Sequence, residues 1–294
     1  MESKVLVKTY GFFGDIIFAS SLAEELKQEY SLVTFLIGFP QVKSLLLNNP
    51  FIDEVIVSSI PSPTPFIPNL NLNVYNRVIE LSPLFFETPP VVEYKIKNKF
   101  KNISPEYKVY TNFEYDNKVQ ELMTQTLDRS KKTLAFLSNW EEKTFGFTQE
   151  EYSKGIDVPN LGYGGRRRNI SFILSKLNPH FNLLEVGMKG GTSQQSTSKI
   201  SDNDTKSLLF EASILKYCDA FIGAEGGLAN IAAGVGTPTI ITGDFIHQLY
   251  GWNGVIKKLK EPKLGPKYYF NNKHITLDPF ISDIEIVEYI TKHI

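Results

Sequence analysis

Cysteine is almost missing from this chain of 294 residues, with Cys218 standing alone. One thiol excludes an intramolecular disulfide and any zinc site built from several cysteines. The four histidines, His180, His247, His274 and His293, are scattered without metal-ligand spacing, so no metal site is expected. A surplus of either charge is missing too. Lys and Arg number 31 against 32 Asp and Glu, a net charge of −1. A protein that grips nucleic acid through its phosphates carries a basic surplus, so nucleic acid is not an expected partner. No apolar run approaches the roughly 20 residues of a membrane helix. Asp15 interrupts the apolar stretch near the N-terminus, unlike a secretory leader. The expectation is a soluble, cytoplasmic protein with at most peripheral membrane association. Nothing in the sequence signals an oligomeric state.

What is present is an ordinary apolar content of 42%, enough for a large core. The length suits one large α/β domain or two of about 150 residues. Residues 4–9 (KVLVKT) form an apolar, β-branched run expected of a strand buried on both faces. A glycine turn and a helix over 15–29 follow, then strands over 32–38 and 54–58 separated by a helix over 41–47. This alternation predicts a parallel sheet with right-handed crossovers. Residues 59–68 hold four prolines and are expected to be an extended loop. A fourth strand is expected over 73–81 and a helix over 119–127. The polar run 128–132 reads as a hinge. Alternation restarts at 133–138, with further strands over 182–187, 220–223 and 238–242, helices over 170–177, 204–217 and 228–235, and a terminal helix over 284–293. The predicted organisation is two Rossmann-like halves, 1–130 and 131–280, with the terminal helix 281–294 placed to cross back to the first half.

The most informative segment is GAEGGLANIAAGVGTPTIITGDF, from Gly223 to Phe245. A short strand ends, glycines turn the chain, and a helix of small residues begins. Glycines let a ligand approach the backbone, and unpaired amides at a helix start favour an anion such as a diphosphate. A tight strand-to-helix turn packed with small residues is the alternative account. Asp15 follows Gly11, Phe12, Phe13 and Gly14 at another helix start, where an acid also serves as a cap. Asp202 and Asp204 precede a helix and read as capping residues. Gly11 and Gly14 are half of a dinucleotide fingerprint, and the second strand ends without an acid for a ribose, so a nicotinamide cofactor is not expected.

Together these segments resemble the lipopolysaccharide heptosyltransferases, glycosyltransferase family nine. That family carries a C-terminal motif of the form D-T-G-L-x-H-x-A-A-x-x-G-T-P. Here Glu225 stands at the acid, Gly226 and Gly227 at the Thr-Gly, Leu228 at the Leu and Asn230 at the His, while Ala232-Ala233 and Gly236-Thr237-Pro238 match directly. Thr242-Gly243-Asp244 and Gly251-Trp252 echo the next element. Gly14-Asp15 and Asn49-Pro50-Phe51-Ile52-Asp53-Glu54-Val55-Ile56 are similar to the N-terminal motifs. The resemblance covers about residues 4–58 and 204–253.

The resemblance implies a GT-B fold, two facing Rossmann-like domains with parallel sheets and a central cleft. It also implies an inverting, metal-independent glycosyltransferase needing no cofactor beyond its nucleoside-diphosphate sugar donor. The acceptor would be a hydroxyl on a glycan or lipopolysaccharide-type molecule. Asp15 takes the position of the general base, flanked on the acceptor side by Gly11, Phe12, Phe13 and Gly14. The donor would lie against Glu225, Gly226, Gly227, Leu228, Asn230, Gly243 and Asp244. Arg166, Arg167 and Arg168 stand where the family places a phosphate-contacting base, although the usual Lys-x-Trp-Pro element has no counterpart and a solvated basic turn is the other account. Gly190 and Thr192 follow a strand of the same half and are candidates for the ribose or phosphates. Glu225 in place of Asp, Asn230 in place of His and the lack of a basic groove for a phosphorylated lipid core point away from the usual donor and acceptor. Two other readings stay open: a sugar-nucleotide epimerase or hydrolase of GT-B architecture, and a non-catalytic sugar-nucleotide or glycan-binding module.

Overall fold

The computed structural model describes residues 3–81, 90–101, 103–104, 106–137, 168–187, 207–224, 226–243, 274–277 and 281–294. The first sheet has four parallel strands in the order β3-β2-β1-β4: β1 Lys4–Thr9, β2 Leu32–Ile37, β3 Glu54–Val57 and β4 Arg77–Leu81. Val5, Leu6 and Val7 of the central strand β1 are fully buried. A strand covered on both faces reads as an unbroken apolar run, which is why its sequence shows no alternation. Connecting elements are α1 Phe13–Ser20, α2 Ala23–Glu29 and α3 Lys43–Leu47, with α4 Pro90–Lys97 and α5 Phe113–Thr126 after β4.

Several expected elements are corrected. The single helix over 15–29 is two, α1 and α2. The Ser20 hydroxyl donates to the Ile17 carbonyl at 2.7 Å and Ser21 to that of Phe18 at 2.6 Å. Such bonds compete with the helical ladder and favour a bend. Helix α5 starts six residues before the expected 119, because the Asn112 side chain accepts from the Tyr115 amide at 2.8 Å and caps it. Helix α4 had no expected counterpart.

The second sheet has five parallel strands in the order β6-β5-β7-β8-β9. They are β5 Lys132–Leu137, β6 Phe181–Val186, β7 Ala220–Ala224, β8 Thr239–Gly243 and β9 His274–Thr276. Its helices are α6 Ile170–Leu177, α7 Leu208–Lys216, α8 Gly227–Val235 and α9 Asp283–His293. The three-residue β9 is an edge strand beyond the expected set. Helix α9 packs on α6, and the Lys132 ammonium donates to the Ile294 carbonyl. The terminal helix thus packs against an element of the second half. Among the described residues no helix is long and apolar enough to cross a membrane.

Elements of the two halves meet directly. Helix α1 packs on α8, and α5 and α3 pack on α7. Lys216 of α7 pairs with Asp116 of α5 at 2.6 Å. Residues 107–110 run along α8: the Tyr107 hydroxyl donates to the Asn230 carbonyl at 2.9 Å and the Val109 amide to that of Gly234 at 2.9 Å.

Candidate active site

At the carboxyl end of β1 the chain turns through Gly11, whose φ of +109° lies in the region that favours glycine. Helix α1 then begins with Phe12 as its N-cap, a residue with no side-chain acceptor. Asp15, three residues on, fills that role: its Oδ2 accepts from the Phe12 amide at 2.8 Å. The carboxylate folds so tightly over the turn that a Cβ at Gly11 would come within 2.3 Å of Oδ2. Asp15 is partly buried, and burial pushes its pKa up to about 6 against the opposing pull of the Phe12 and Asp15 amides. Tyr94 of α4 is buried nearby, and burial followed by the Asp15 charge raises its phenol, keeping it protonated.

The first turn of α8 faces this one. Gly226 caps α8 with φ +152° and has no side chain to cap the helix start, so among the described residues no side-chain cap bond is made there. A Cβ on Gly14 would meet the Asn230 Nδ2 at 2.3 Å, and one on Gly227 would lie 3.1 Å from the Phe13 Cβ. Two helix N-termini therefore converge at glycine contacts, and each brings partial positive charge to the same place. Asn230 is 1% exposed, and its Oδ1 accepts no hydrogen bond among the described residues. The structure thus brings Gly11, Phe12, Phe13, Gly14 and Asp15 together with Gly226, Gly227 and Asn230. Leu228, in the first turn of α8, is partly buried against the core.

Arg168 has a different place. It is 1% exposed, and its Nε and Nη2 donate to the Thr242 carbonyl at 3.2 and 2.9 Å. Nη1 donates to the Ile281 carbonyl and lies 3.6 Å from Asp283. Its guanidinium clasps the end of β8 to the start of α9. Gly243 closes β8 beside that clasp. Glu225, Arg166, Arg167, Gly190, Thr192, Asp244, Asp202 and Asp204 lie outside the described residues.

Glu211, in the first turn of α7, is a candidate the motifs missed. It is buried, its Oε1 accepts from the Gly187 amide at 3.3 Å just beyond β6, and its Oε2 has no partner among the described residues. Burial pushes its pKa up to about 7. An acid inside the apolar run LLFEASIL was the available signal. Cys218 is buried, and burial raises its thiol first, with Asp219 and Glu211 adding to the shift; it is core, not nucleophile. A cavity of about 630 Å³ at the other end of α1, lined by Ser20, Ser21, Glu24, Lys95, Tyr107 and Tyr110 among others, does not include Asp15.

No protein-family model matches the chain. No curated protein matches it by sequence. Solved structures do match. A glycosyltransferase family 9 protein from Veillonella parvula superposes with TM-score 0.60 at 11% identity, over 99% of this chain and 91% of that one. The ADP-heptose lipopolysaccharide heptosyltransferase II of E. coli gives TM-score 0.60 at 12% identity, over 98% of each chain. The iron-containing dodecameric glycosyltransferase TibC of enterotoxigenic E. coli gives 0.54 at 8% identity, over 96% of this chain and 64% of that one. A TibC structure in complex with ADP-D-β-D-heptose gives 0.51 at 10% identity, with the same coverage. The chain therefore has the fold of the family 9 glycosyltransferase structures, a GT-B arrangement of two Rossmann-like halves.

Proposed function

We propose that this protein is an inverting glycosyltransferase that moves a sugar from a nucleoside-diphosphate donor to a hydroxyl acceptor. The observation that carries the proposal is the seat of Asp15. It is a partly buried carboxylate with its pKa pushed up to about 6, on a helix start packed directly against the first turn of α8. Raising the pKa from the usual 3.8 makes the carboxylate a stronger base while leaving it ionised at neutral pH. The acceptor oxygen bonds to the anomeric carbon as its proton passes to Asp15, and the bond to the diphosphate breaks with its electron pair leaving on phosphate. Attack from the face opposite the leaving group inverts the centre.

The leaving diphosphate gains negative charge, and the uncapped amides of α8 supply the compensating partial charge without a metal ion. Asn230, whose Nδ2 faces Gly14 and whose Oδ1 accepts no hydrogen bond among the described residues, is the side chain we assign to a donor hydroxyl. Glu225 and Asp244, on either side of α8 and β8 in the sequence, are assigned to the sugar. Arg166 and Arg167 are the phosphate-binding candidates, since Arg168 is committed to the β8–α9 clasp. The buried Cys218 thiol suits a reducing cytoplasm.

Asp15→Asn tests the proposal. A thermal-shift screen of ADP-, GDP-, UDP-, CMP- and dTDP-linked sugars first identifies the donor, since a bound ligand raises the melting temperature by mass action. The variant is expected to keep that shift and to lose transfer by about 10²–10⁴-fold, the usual worth of a general base. Full transfer by Asp15→Asn would refute the assigned base.

A further inference from the structure

Among the described residues, the loops that follow β1, β2 and β3 on the Asp15 side of the first sheet form an uncharged aromatic shelf. Because β1, β2 and β3 are parallel, the connections that follow them leave the same edge of the sheet. In sequence these are Tyr10–Phe12, Gly38–Val42 and the stretch from Ser58, and none contains a lysine, an arginine or an acid; Val55 to Asn76 holds no charged residue at all. Lys8, near the end of β1, pairs with Glu80 at 3.2 Å and sits 5.0 Å from the Tyr10 ring centre. Along the chain, Asp15 is the first charged residue after Lys8.

Aromatic rings take the place of charges. The Phe12 ring is 65% exposed and stacks on Phe39, centroids 5.8 Å apart and planes inclined by 22°, while Phe13 packs edge-on to Phe39 at 5.3 Å. The amide of the same Phe12 holds the Asp15 carboxylate, so ring and base are positioned by one residue. Ile60 and Phe66 of the proline-rich loop are 70% and 64% exposed. That loop is tied to the turn: Gly11 donates to the Pro63 carbonyl at 2.7 Å, Ser62 to that of Gly38 at 3.1 Å, and Phe66 to the Ser58 hydroxyl at 3.0 Å. A Cβ at Gly38 would overlap the Ser62 carbonyl, so the loop lies directly on the backbone there.

Resting on the transferase reading, we infer that the acceptor is an uncharged saccharide whose pyranose ring lies on Phe12 and presents its hydroxyl to Asp15. A pyranose has an apolar C–H face that suits an exposed aromatic ring and a hydroxyl rim that suits a carboxylate. A phosphorylated or uronate-rich acceptor would bring anions beside Asp15 with no cation in these loops to receive them.

The test is a glycan array carrying uncharged, sialylated, uronate and phosphorylated glycans, probed with labelled wild type, Phe12→Ala and Phe12→Trp. Each preparation is also assayed for its nucleotide-sugar thermal shift and for binding to phosphatidylcholine vesicles. Binding is expected on uncharged glycans, to fall by about tenfold or more in Phe12→Ala, and to persist in Phe12→Trp, where the larger ring restores the platform. The thermal shift is expected to be equal in all three. Binding concentrated on anionic glycans would overturn the inference, as would uncharged-glycan binding indifferent to Phe12→Ala. Phe12-dependent capture of vesicles without glycan binding would overturn it in favour of a membrane contact. A normal nucleotide-sugar shift without binding to uncharged glycans would defeat the platform alone. Phe12-dependent glycan binding without any nucleotide-sugar shift would defeat the transferase reading and leave the platform standing.

Discussion

Asp15 does two things whose energetic signs oppose each other. Its carboxylate caps the Phe12 amide, which favours the ionised form, yet burial outweighs that bond and lifts the pKa to about 6. As a base it must be ionised, so transfer is expected to rise with pH and level off, with the acid limb of the rate profile centred near 6. An acid limb near 4 would mean that the carboxylate is solvated in the working enzyme. Stability runs the other way. Between 3.8 and about 6 the folded chain holds a proton that the unfolded chain has lost, so this residue's contribution weakens as pH rises through that window. A shift of this size corresponds to about 3 kcal/mol at most. Asp15→Asn should therefore match wild type in urea melts at pH 4 and exceed it by about 1–3 kcal/mol above pH 7. A variant equally unstable at both pH values would show that capping, and not charge burial, dominates. The residues also differ in how readable they were. Asp15 and Asn230 stand in motifs, whereas Glu211 was visible only as an acid in an apolar stripe. The unpartnered Oδ1 of Asn230 depends on neighbours distant in sequence.

Elements declared themselves where burial is symmetric. Strands covered on both faces, such as β1 and β5, are apolar runs whose ends match expectation to within a residue. Those ruled by a local polar bond did not: Ser20 and Ser21 divide α1 from α2, and Asn112 starts α5 early. The strand β9 is too short for any periodicity. Arg168 shows the same limit. In sequence it is one of three adjacent arginines, yet its side chain is buried and joins β8 to α9 through two carbonyls and Asp283. Removing one partner of a buried charge network leaves the others unpaired, so Arg168→Met should cost about 3 kcal/mol. The loss should appear as faster amide exchange across α9 while α1 and β1 stay protected. An Arg168→Met protein that keeps its stability but loses the nucleotide-sugar shift would return this residue to phosphate binding.

At the scale of the whole molecule, two sheets face each other through two helix N-termini, and the alternation of strands and helices announced both sheets without announcing that contact. Gly14 and Asn230 lie 216 positions apart, and only the folded chain shows that the first has no side chain because the second is there. The same place carries the proposed base, the proposed diphosphate site and the join between halves, so a wedge should affect all three. Gly14→Leu adds a side chain where a Cβ already comes within 2.3 Å of Nδ2. Overpacking of this kind costs about 1–3 kcal/mol when neighbours can shift, and here α1 and α8 shift apart most readily by separating the halves. Calorimetry should then resolve two transitions in Gly14→Leu where wild type, coupled through α1–α8 and the Lys216–Asp116 pair, shows one. Transfer should fall with Asp15 itself unaltered, because the acceptor oxygen and the anomeric carbon no longer meet. A single unsplit transition with normal transfer would show that the first turns of α1 and α8 do not set the register of the two halves.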